Sequence, residues 1–146
     1  RRFNRRPPLT LLEVFRGHVD RWPLRPLLLF QEDLYTYGDA ERFSNRLARV
    51  LRRRLGDGAG AGAGAGGGDG DSRRVTVAVL LPNQPNYVWS WLALAKLGWP
   101  MACVNYNARG RALTHALRSA GAVGLLVSPG EWGNGGCGGV YACVKG

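Results

Sequence analysis

The sequence predicts an α/β fold in which three parallel strands with crossover helices follow a helix, a small hairpin and a second helix. The first observation is that residues 75–127 alternate between short apolar runs and segments with the spacing of amphipathic helices. The second is that short turns separate these segments, as in units whose strands pair in parallel through right-handed crossovers. The third is a pair of helical patterns around two strand patterns in residues 1–55. We therefore interpret residues 75–127 as half of a doubly wound α/β domain.

Residues 9–22 form the first predicted helix, since apolar side chains recur there at three- and four-residue spacing. Thr10 and Glu13 have the spacing of a capping box, in which each side chain satisfies the other residue's free backbone amide. Pro23 ends the helix because proline cannot donate the next backbone hydrogen bond. The predicted inward stripe consists of Leu12, Phe15, Val19 and Trp22.

A hairpin and a long helix are predicted next. Residues 27–30 and 35–37 are short apolar or aromatic runs on either side of a polar turn, which is typical of two paired strands. Residues 38–55 then return to helical periodicity, with Thr36 or Asp39 as the N-terminal cap. The side chains predicted to face inward are Ala40, Phe43, Leu47, Val50 and Leu51.

The α/β half begins with residues 75–81, a continuous apolar run typical of a strand buried on both faces of a parallel sheet. Asn86 is predicted to cap the following helix, and Gly98 to end it. The remaining predicted elements are a strand over residues 101–104, a helix over 111–120 with Leu113 and Leu117 inward, and a strand over 123–127.

The segment 87–104 is mostly apolar and contains a single charge, Lys96. A bilayer-spanning helix needs roughly 20 predominantly apolar residues, whereas Gly98 interrupts this segment. It is therefore predicted to be a buried helix followed by a strand, not a membrane span. Trp89 and Trp91 lie two positions apart and so point to different sides of that helix. One is expected in the core and the other partly exposed.

Composition divides the chain into four segments. Residues 1–55 and 73–128 are predicted to belong to one large domain. Residues 56–72 are a Gly/Ala-rich run with too little side chain to bury, which predicts a flexible loop. Its G-x-G-x-x-G string follows a helix and precedes a strand, the reverse of the order in dinucleotide-binding units. Residues 129–146 hold seven of the 22 glycines and are predicted to be an atypical, disordered tail.

The formal net charge of +10 permits two explanations. Clustered cations are the footprint of phosphate binding, which favours a basic module for anionic lipid or nucleic acid. Arginine supplies 18 of the 20 basic residues, however, and a GC-rich coding sequence produces the same excess. The arginines at 52–54 also suit the C-terminal end of a helix, where cations complement the helix dipole.

Catalytic and metal-binding patterns are sparse. The three cysteines form no C-x-x-C pair, and His18 and His115 lie far apart in the sequence, so no metal site is predicted. The chain also has no G-x-S-x-G elbow and no P-loop ending in Gly-Lys-Ser/Thr. No catalytic residue is therefore predicted.

Asn105, Asn107 and Arg109 are the candidate substrate- or cofactor-binding residues. They follow the second predicted parallel strand, and ligands of such sheets bind beyond the carboxyl ends of the strands. Their amide and guanidinium groups could donate hydrogen bonds to a phosphate or carboxylate. In the alternative interpretation the asparagines make turn and cap hydrogen bonds and Arg109 is solvated.

Three stretches of the chain match one family pattern: TYGDAERFSNRLARVL (36–51), VTVAVLLPNQPNYVWSWLALAKLG (75–98) and NYNAR (105–109). Within the second stretch, the narrower features are NQPNYVWSWL (83–92) and AKLG (95–98). These strings resemble the fatty acid transport protein and very-long-chain acyl-CoA synthetase family of adenylate-forming enzymes. The resemblance covers about residues 11–128 and implies part of the large N-terminal domain of such an enzyme. After residue 128 the chain departs from the family pattern.

The resemblance implies a ligase that activates a long or very long fatty acid with ATP and Mg²⁺ and transfers the acyl group to coenzyme A. It also implies association of the parent protein with the endoplasmic reticulum, mitochondrial or plasma membrane, a possible homo-oligomer and no nucleic acid partner. No signal or transmembrane segment is predicted in this chain.

In the family, the ATP loop, the adenine and acyl-chain sites and the catalytic lysine come later in sequence than these strings. Lys96 matches a helix position of the family and not its catalytic lysine. We therefore expect this chain to be an N-terminal fragment that is inactive by itself and binds none of the family's cofactors well. A further alternative is a non-catalytic isoform that pairs with the full-length enzyme.

Overall fold

The computed structural model describes residues 8–56 and 75–128. The elements in these two ranges confirm the predicted α/β class and the predicted order of helices and strands. In chain order they are α1 (Leu11–Arg21), β1 (Pro26–Phe30), β2 (Asp33–Thr36), α2 (Tyr37–Leu55), β3 (Thr76–Leu80), α3 (Pro85–Leu97), β4 (Met101–Cys103), α4 (Gly110–Ser119) and β5 (Ala122–Val127).

The strands of the described residues form two sheets. β1 and β2 pair antiparallel, with Leu29 opposite Leu34. In the second sheet β3 lies between β4 and β5 and runs parallel to both. The predicted hairpin and the predicted parallel sheet are both confirmed.

Helices cover both faces of the parallel sheet. Because side chains alternate along a strand, Val77 and Val79 face a core shared with Leu51 of α2 and Leu94 of α3. The opposite face of β3 packs on α4, and its cluster consists of Ala78, Leu80, Leu113, Leu125 and Val127. Burial on both faces explains why the first strand of the sheet is a continuous apolar run.

A third cluster attaches α1 and the hairpin to the helices of the α/β half. Phe15 of α1, Ala40 of α2 and Trp89 of α3 are its buried members, together with Leu92. The ring of Trp89 lies 5.5 Å from that of Tyr35 and 5.7 Å from that of Phe43. The two halves of the described chain therefore share one continuous set of packed side chains.

Capping boxes begin α1 and α2. At α1 the Thr10 side chain accepts from the backbone amide of Glu13, whose carboxylate accepts from the backbone amide of Thr10 at 2.6 Å. At α2, Thr36 is the N-cap and Asp39 is its reciprocal partner, with distances of 3.1 and 3.0 Å. Both candidate cap residues therefore take part, and each satisfies a backbone amide that the first turn leaves free.

Three sequence expectations about individual residues are wrong. Asn86 does not cap α3, because Gln84 is the N-cap and Pro85 occupies the first turn, where its missing amide costs nothing. Val50 is 42% exposed, because the buried stripe of α2 runs instead through Ala40, Ser44, Ala48 and Leu51. Trp22 is the C-cap of α1 and lies on the surface beneath the guanidinium groups of Arg21 and Arg25.

The apolar segment 87–104 forms most of α3 and the whole of β4, as predicted. Trp89 is buried and Trp91 is 38% exposed, which confirms that the two rings face different environments. Gly98 ends α3 in the left-handed conformation at φ +69°, which glycine adopts without a steric penalty. Across residues 8–56 and 75–128, none of the helices has the length and apolar character needed to cross a bilayer.

The predicted Gly/Ala-rich loop and the predicted tail fall almost wholly on residues 57–74 and 129–146, which lie outside the described residues. The flexibility of the first, the disorder of the second and the division of the chain into four segments stay predictions.

Candidate functional site

The loop between β4 and α4 contains all three candidate binding residues and lies at the carboxyl end of the parallel sheet. The Asn105 side-chain oxygen accepts from the backbone amide of Asn107 at 2.9 Å. The carbonyl oxygen of Asn105 accepts from the amide of Ala108 at 2.8 Å. These hydrogen bonds close a tight turn of the kind that asparagine favours.

Arg109 follows that turn and is the N-cap residue of α4. Its guanidinium donates to the carbonyl oxygens of Tyr106 and Ala108, at 2.6 and 2.9 Å, and lies 5.8 Å above the Tyr106 ring. The structure thus brings Asn105, Asn107 and Arg109 into one exposed loop, where Asn105 and Arg109 hold its backbone conformation. Ligand binding by these residues stays a prediction.

Lys96 is the centre of a polar network that the sequence analysis missed. Its side chain is 6% exposed, and its ammonium donates to Glu41 Oε2 at 2.6 Å, Ser44 Oγ at 2.7 Å and Asn45 Oδ1 at 2.9 Å. Asn45 donates in turn to the other Glu41 oxygen at 2.9 Å. Three acceptors satisfy the three donors of the ammonium, so α2 and α3 are joined by a hydrogen-bonded ion pair.

The titration of this pair follows from its burial. Burial lowers the pKa of Lys96, and the hydrogen bond and charge of Glu41 offset only part of that effect. Burial alone would raise the pKa of Glu41, but hydrogen bonds from Lys96 and Asn45 outweigh it and hold this pKa below its ordinary value. With its donors engaged, Lys96 connects two helices and is not placed to act as a nucleophile.

A signal for this network was present in the sequence. Lys96 is the single charge within an apolar helix, and a buried ammonium requires a partner. Glu41 and Asn45 lie four positions apart and so share a face of α2. The sequence did not indicate which helix would pack against Lys96, because residues 41 and 96 are far apart along the chain.

The ionisation of Tyr87 of α3 depends on Cys103 of β4. The hydrogen bond with Cys103, followed by burial, raises the pKa of Tyr87 to about 12. Cys103 is an exposed free thiol. The Tyr87 phenol is therefore harder to ionise than a free tyrosine side chain.

The described part of the chain holds no group of three or more His, Cys, Asp or Glu side chains that could bind a metal ion. His18 stacks on Trp22 at 5.5 Å and packs against Tyr37 at 5.3 Å, while His115 lies 3.5 Å from Ser119 Oγ on α4. Neither histidine is therefore part of a metal-binding cluster within the described residues.

Comparison with known proteins identifies the family. The model of the AMP-binding enzyme family matches residues 15–136, which is most of the chain. The chain belongs to the AMP-binding enzyme family. Its resemblance to fatty acid transport proteins is confirmed by long-chain fatty acid transport protein 2 of Rattus norvegicus, which is 42% identical over 125 residues. That match covers 86% of this chain and 18% of the relative.

Two further relatives are similar to most of this chain and match only a small share of their own length. Long-chain fatty acid transport protein 6 of Homo sapiens is 33% identical over 119 residues, covering 82% of this chain and 17% of that protein. The medium/long-chain fatty-acid–CoA ligase FadD6 of Mycobacterium tuberculosis is 35% identical over 105 residues, covering 71% of this chain and 15% of the ligase. The chain thus spans less than a fifth of the length of these relatives.

Solved structures of adenylation enzymes share the fold. An artificially fused adenylation–PCP di-domain, NpsA-ThdA from Klebsiella oxytoca, superposes with a TM-score of 0.67 at 26% identity, covering 86% of this chain and 21% of that chain. The N-terminal subdomain of NpsA in complex with anthranilyl-AMSN superposes with a TM-score of 0.66 at 25% identity, covering 81% of this chain and 27% of that one. The described elements therefore correspond to part of an N-terminal domain of adenylate-forming enzymes.

Proposed function

We propose that this chain is an N-terminal segment of a long-chain or very-long-chain fatty acid–CoA ligase and is inactive by itself. The observation that carries the proposal is the 42% identity to a long-chain fatty acid transport protein over 86% of the chain. The ligase named among the relatives supports the choice of fatty acid and coenzyme A as substrates of the parent protein.

The reaction proposed for the parent protein has two steps. The fatty acid carboxylate attacks the α-phosphorus of ATP, with pyrophosphate as the leaving group, and forms an acyl-adenylate. The thiolate of coenzyme A then attacks the acyl carbon and releases AMP, leaving a thioester. Family membership supports ATP-dependent chemistry, and Mg²⁺ would neutralise charge on the phosphates.

This chain would contribute scaffold to that reaction. The described residues supply a buried central strand, two helices joined through Lys96, and the exposed loop of Asn105, Asn107 and Arg109 beyond the sheet. We propose that this loop borders a substrate or cofactor of the parent protein. The chain matches only 18% of the length of the rat transport protein, which supports inactivity of the chain alone.

A turnover assay tests the inactivity. The purified 146-residue chain is incubated with ATP, Mg²⁺, coenzyme A and either palmitate or a very-long-chain acid, and acyl-CoA and AMP are measured. We expect neither product above a no-enzyme blank, while a full-length relative assayed alongside forms both. Acyl-CoA formation by the chain would contradict the proposal.

A chimera tests the scaffold role. Residues 11–128 replace the matching segment of the rat transport protein 2, and acyl-CoA synthesis is compared with that of the unaltered relative. We expect the chimera to retain activity, and a second chimera carrying Leu94→Asp in the buried core to lose it. A stable, correctly folded first chimera without activity would argue against this segment's belonging to a ligase.

Membrane association of the parent protein is part of the same proposal. Its support is the similarity to two long-chain fatty acid transport proteins. Cell fractionation of the parent protein tests it. Recovery in the membrane pellet is expected, and recovery wholly in the supernatant would contradict it.

A further inference from the structure

A groove with a basic lining lies where α1, α2 and α3 meet. Its volume is about 330 Å³, which lies within the range of small-ligand sites. We call it the basic groove. It is lined by Arg16 from α1, by Asn45, Ala48, Arg49 and Arg52 from α2, and by Lys96 and Leu97 from α3.

The sequence of α2 explains one wall. Its four lining residues recur at three- and four-residue spacing and therefore form a single stripe along the helix. This stripe lies beside the buried one, so Arg49 and Arg52 extend from the packed core towards solvent. Arg16 reaches the same groove from α1.

The charged side chains that line the groove are all positive. Four cationic side chains line it, and among the described residues that form the lining none is acidic. Glu41 lies behind Lys96, and its carboxylate is already bound to that ammonium at 2.6 Å. The charges of Glu13 and Glu41 act on Arg16 from outside the lining, and within the described residues neither Arg16 nor Arg49 is held in a hydrogen bond or a salt bridge. A concave site lined by cations concentrates anions.

We infer that the basic groove binds the phosphate group of a small phosphoester. Guanidinium groups present planar pairs of donors that match phosphate oxygens, and several of them can surround one tetrahedral anion. A nucleic acid fits less well, since the described lining has no aromatic side chain on which a base could stack. This inference goes beyond the proposed ligase function and does not depend on it.

Titration calorimetry with inorganic phosphate at constant ionic strength tests the site. Arg16→Gln and Arg49→Gln each remove a lining guanidinium, and Arg54→Gln is the matched control. Arg54 is exposed, carries the same charge and points to the other side of α2. We expect one saturable site, about tenfold weaker in each lining variant, as loss of a charged hydrogen bond predicts. The control should stay within about twofold.

Two further probes distinguish the source of the phosphate. Glycerol 3-phosphate represents a soluble ester, and phosphatidylcholine vesicles with and without phosphatidic acid represent a lipid headgroup. Binding of the soluble ester alone supports a free phosphoester. Binding to phosphatidic acid vesicles, competed by inorganic phosphate and weakened by Arg49→Gln, supports a lipid headgroup.

Three results would overturn the inference. The first is the absence of saturable binding by all of these probes. The second is equal weakening by the two lining variants and the Arg54→Gln control, which would indicate nonspecific attraction to a basic protein. The third is tighter binding of a single-stranded RNA oligonucleotide that all three variants weaken alike. None of these results bears on the acyl-CoA assay, so the two proposals fail independently.

Discussion

At the scale of single residues, Lys96 shows how one buried charge organises two helices. Its ammonium has three side-chain acceptors, all supplied by one turn of α2. A buried ion pair is not automatically stabilising, because both charges lose hydration. Removing one partner is nevertheless costly, since the other is then left buried and unpaired.

Replacement of Lys96 by Met should destabilise the chain by about 2 kcal/mol, because Glu41 loses its counter-ion and keeps only the Asn45 donor, while the Ser44 hydroxyl loses the donor that Lys96 supplies. The double variant Lys96→Met/Glu41→Gln should cost about 1 kcal/mol less than the sum of the single changes. Urea unfolding of the four proteins measures this coupling. Strict additivity would show that the ion pair does not act as a unit.

The same pair predicts a pH dependence of stability. The folded-state pKa of Glu41 lies below its ordinary value of 4.5, so its contribution is present above that value and is lost as the pH falls through the folded pKa. Asp39 acts in the same direction, because the hydrogen bonds from Thr36 hold its pKa below 3.8.

Urea unfolding between pH 7 and pH 3 checks this expectation. Stability should fall on acidification, and Glu41→Gln should make the dependence shallower. Glu32→Gln is the control, because Glu32 is exposed and lies outside the network. An unchanged slope in Glu41→Gln would refute the assignment.

At the scale of elements, the buried residues of α2 are not the same as its apolar residues. Both Val50 and Leu51 are apolar, yet Leu51 is wholly buried while Val50 is 42% exposed. The spacing of apolar residues defines a broad stripe on a helix. The helix can be rotated about its axis by some tens of degrees and still direct this stripe towards the core, so the spacing does not decide which residue at the margin is buried. Ser44 occupies a buried position because its hydroxyl donates to the Ala40 carbonyl and accepts from Lys96.

The pair Val50→Ala and Leu51→Ala tests that rotation. Leu51→Ala should cost about 3 kcal/mol, since it leaves a cavity in the core between α2 and the sheet. Val50→Ala should change stability by about 0.5 kcal/mol or less, as expected for a surface position. Chemical unfolding of both variants measures the difference. Similar losses in the two would place Val50 in the core after all.

At the scale of the whole molecule, the described sheet has one central strand and two edges. Both faces of β3 are covered, whereas within the described residues β4 and β5 each pair on one side only. An unpaired parallel edge is a template for further strand pairing. This chain matches about a fifth to a third of the length of two solved adenylation-enzyme structures of similar fold.

We therefore expect the isolated chain to self-associate as its concentration rises. Sedimentation velocity over a hundredfold concentration range measures this directly. Val123→Lys, a charge on the exposed side of β5, should reduce the association, whereas the same change at exposed Leu24 should not. A single monomeric species at every concentration would contradict the expectation.

Much of the fold and part of the candidate site followed from local sequence. The Thr10 cap, the continuous apolar β3 and the different environments of Trp89 and Trp91 depend on neighbouring residues along one element, and these were predicted correctly. The cap of α2 was narrowed to Thr36 or Asp39, and which of the two tryptophans is buried was left open. The loop of Asn105, Asn107 and Arg109 was also located correctly, because strand ends are local features. The prediction that Asn86 caps α3 was wrong. The helix begins one residue earlier, at Pro85, which places Gln84 at the cap position and Asn86 inside the first turn.

The sequence by itself determined the class of fold, the order of its elements and the resemblance that leads to the AMP-binding family. Only the tertiary structure decided the rotation of α2, the partners of Lys96 and the existence of the basic groove. Arg16, Arg49 and Lys96 lie on three helices that are far apart along the chain. Periodicity describes one helix at a time, whereas a charge network or a groove arises from contacts between helices, whose packing the local pattern does not specify.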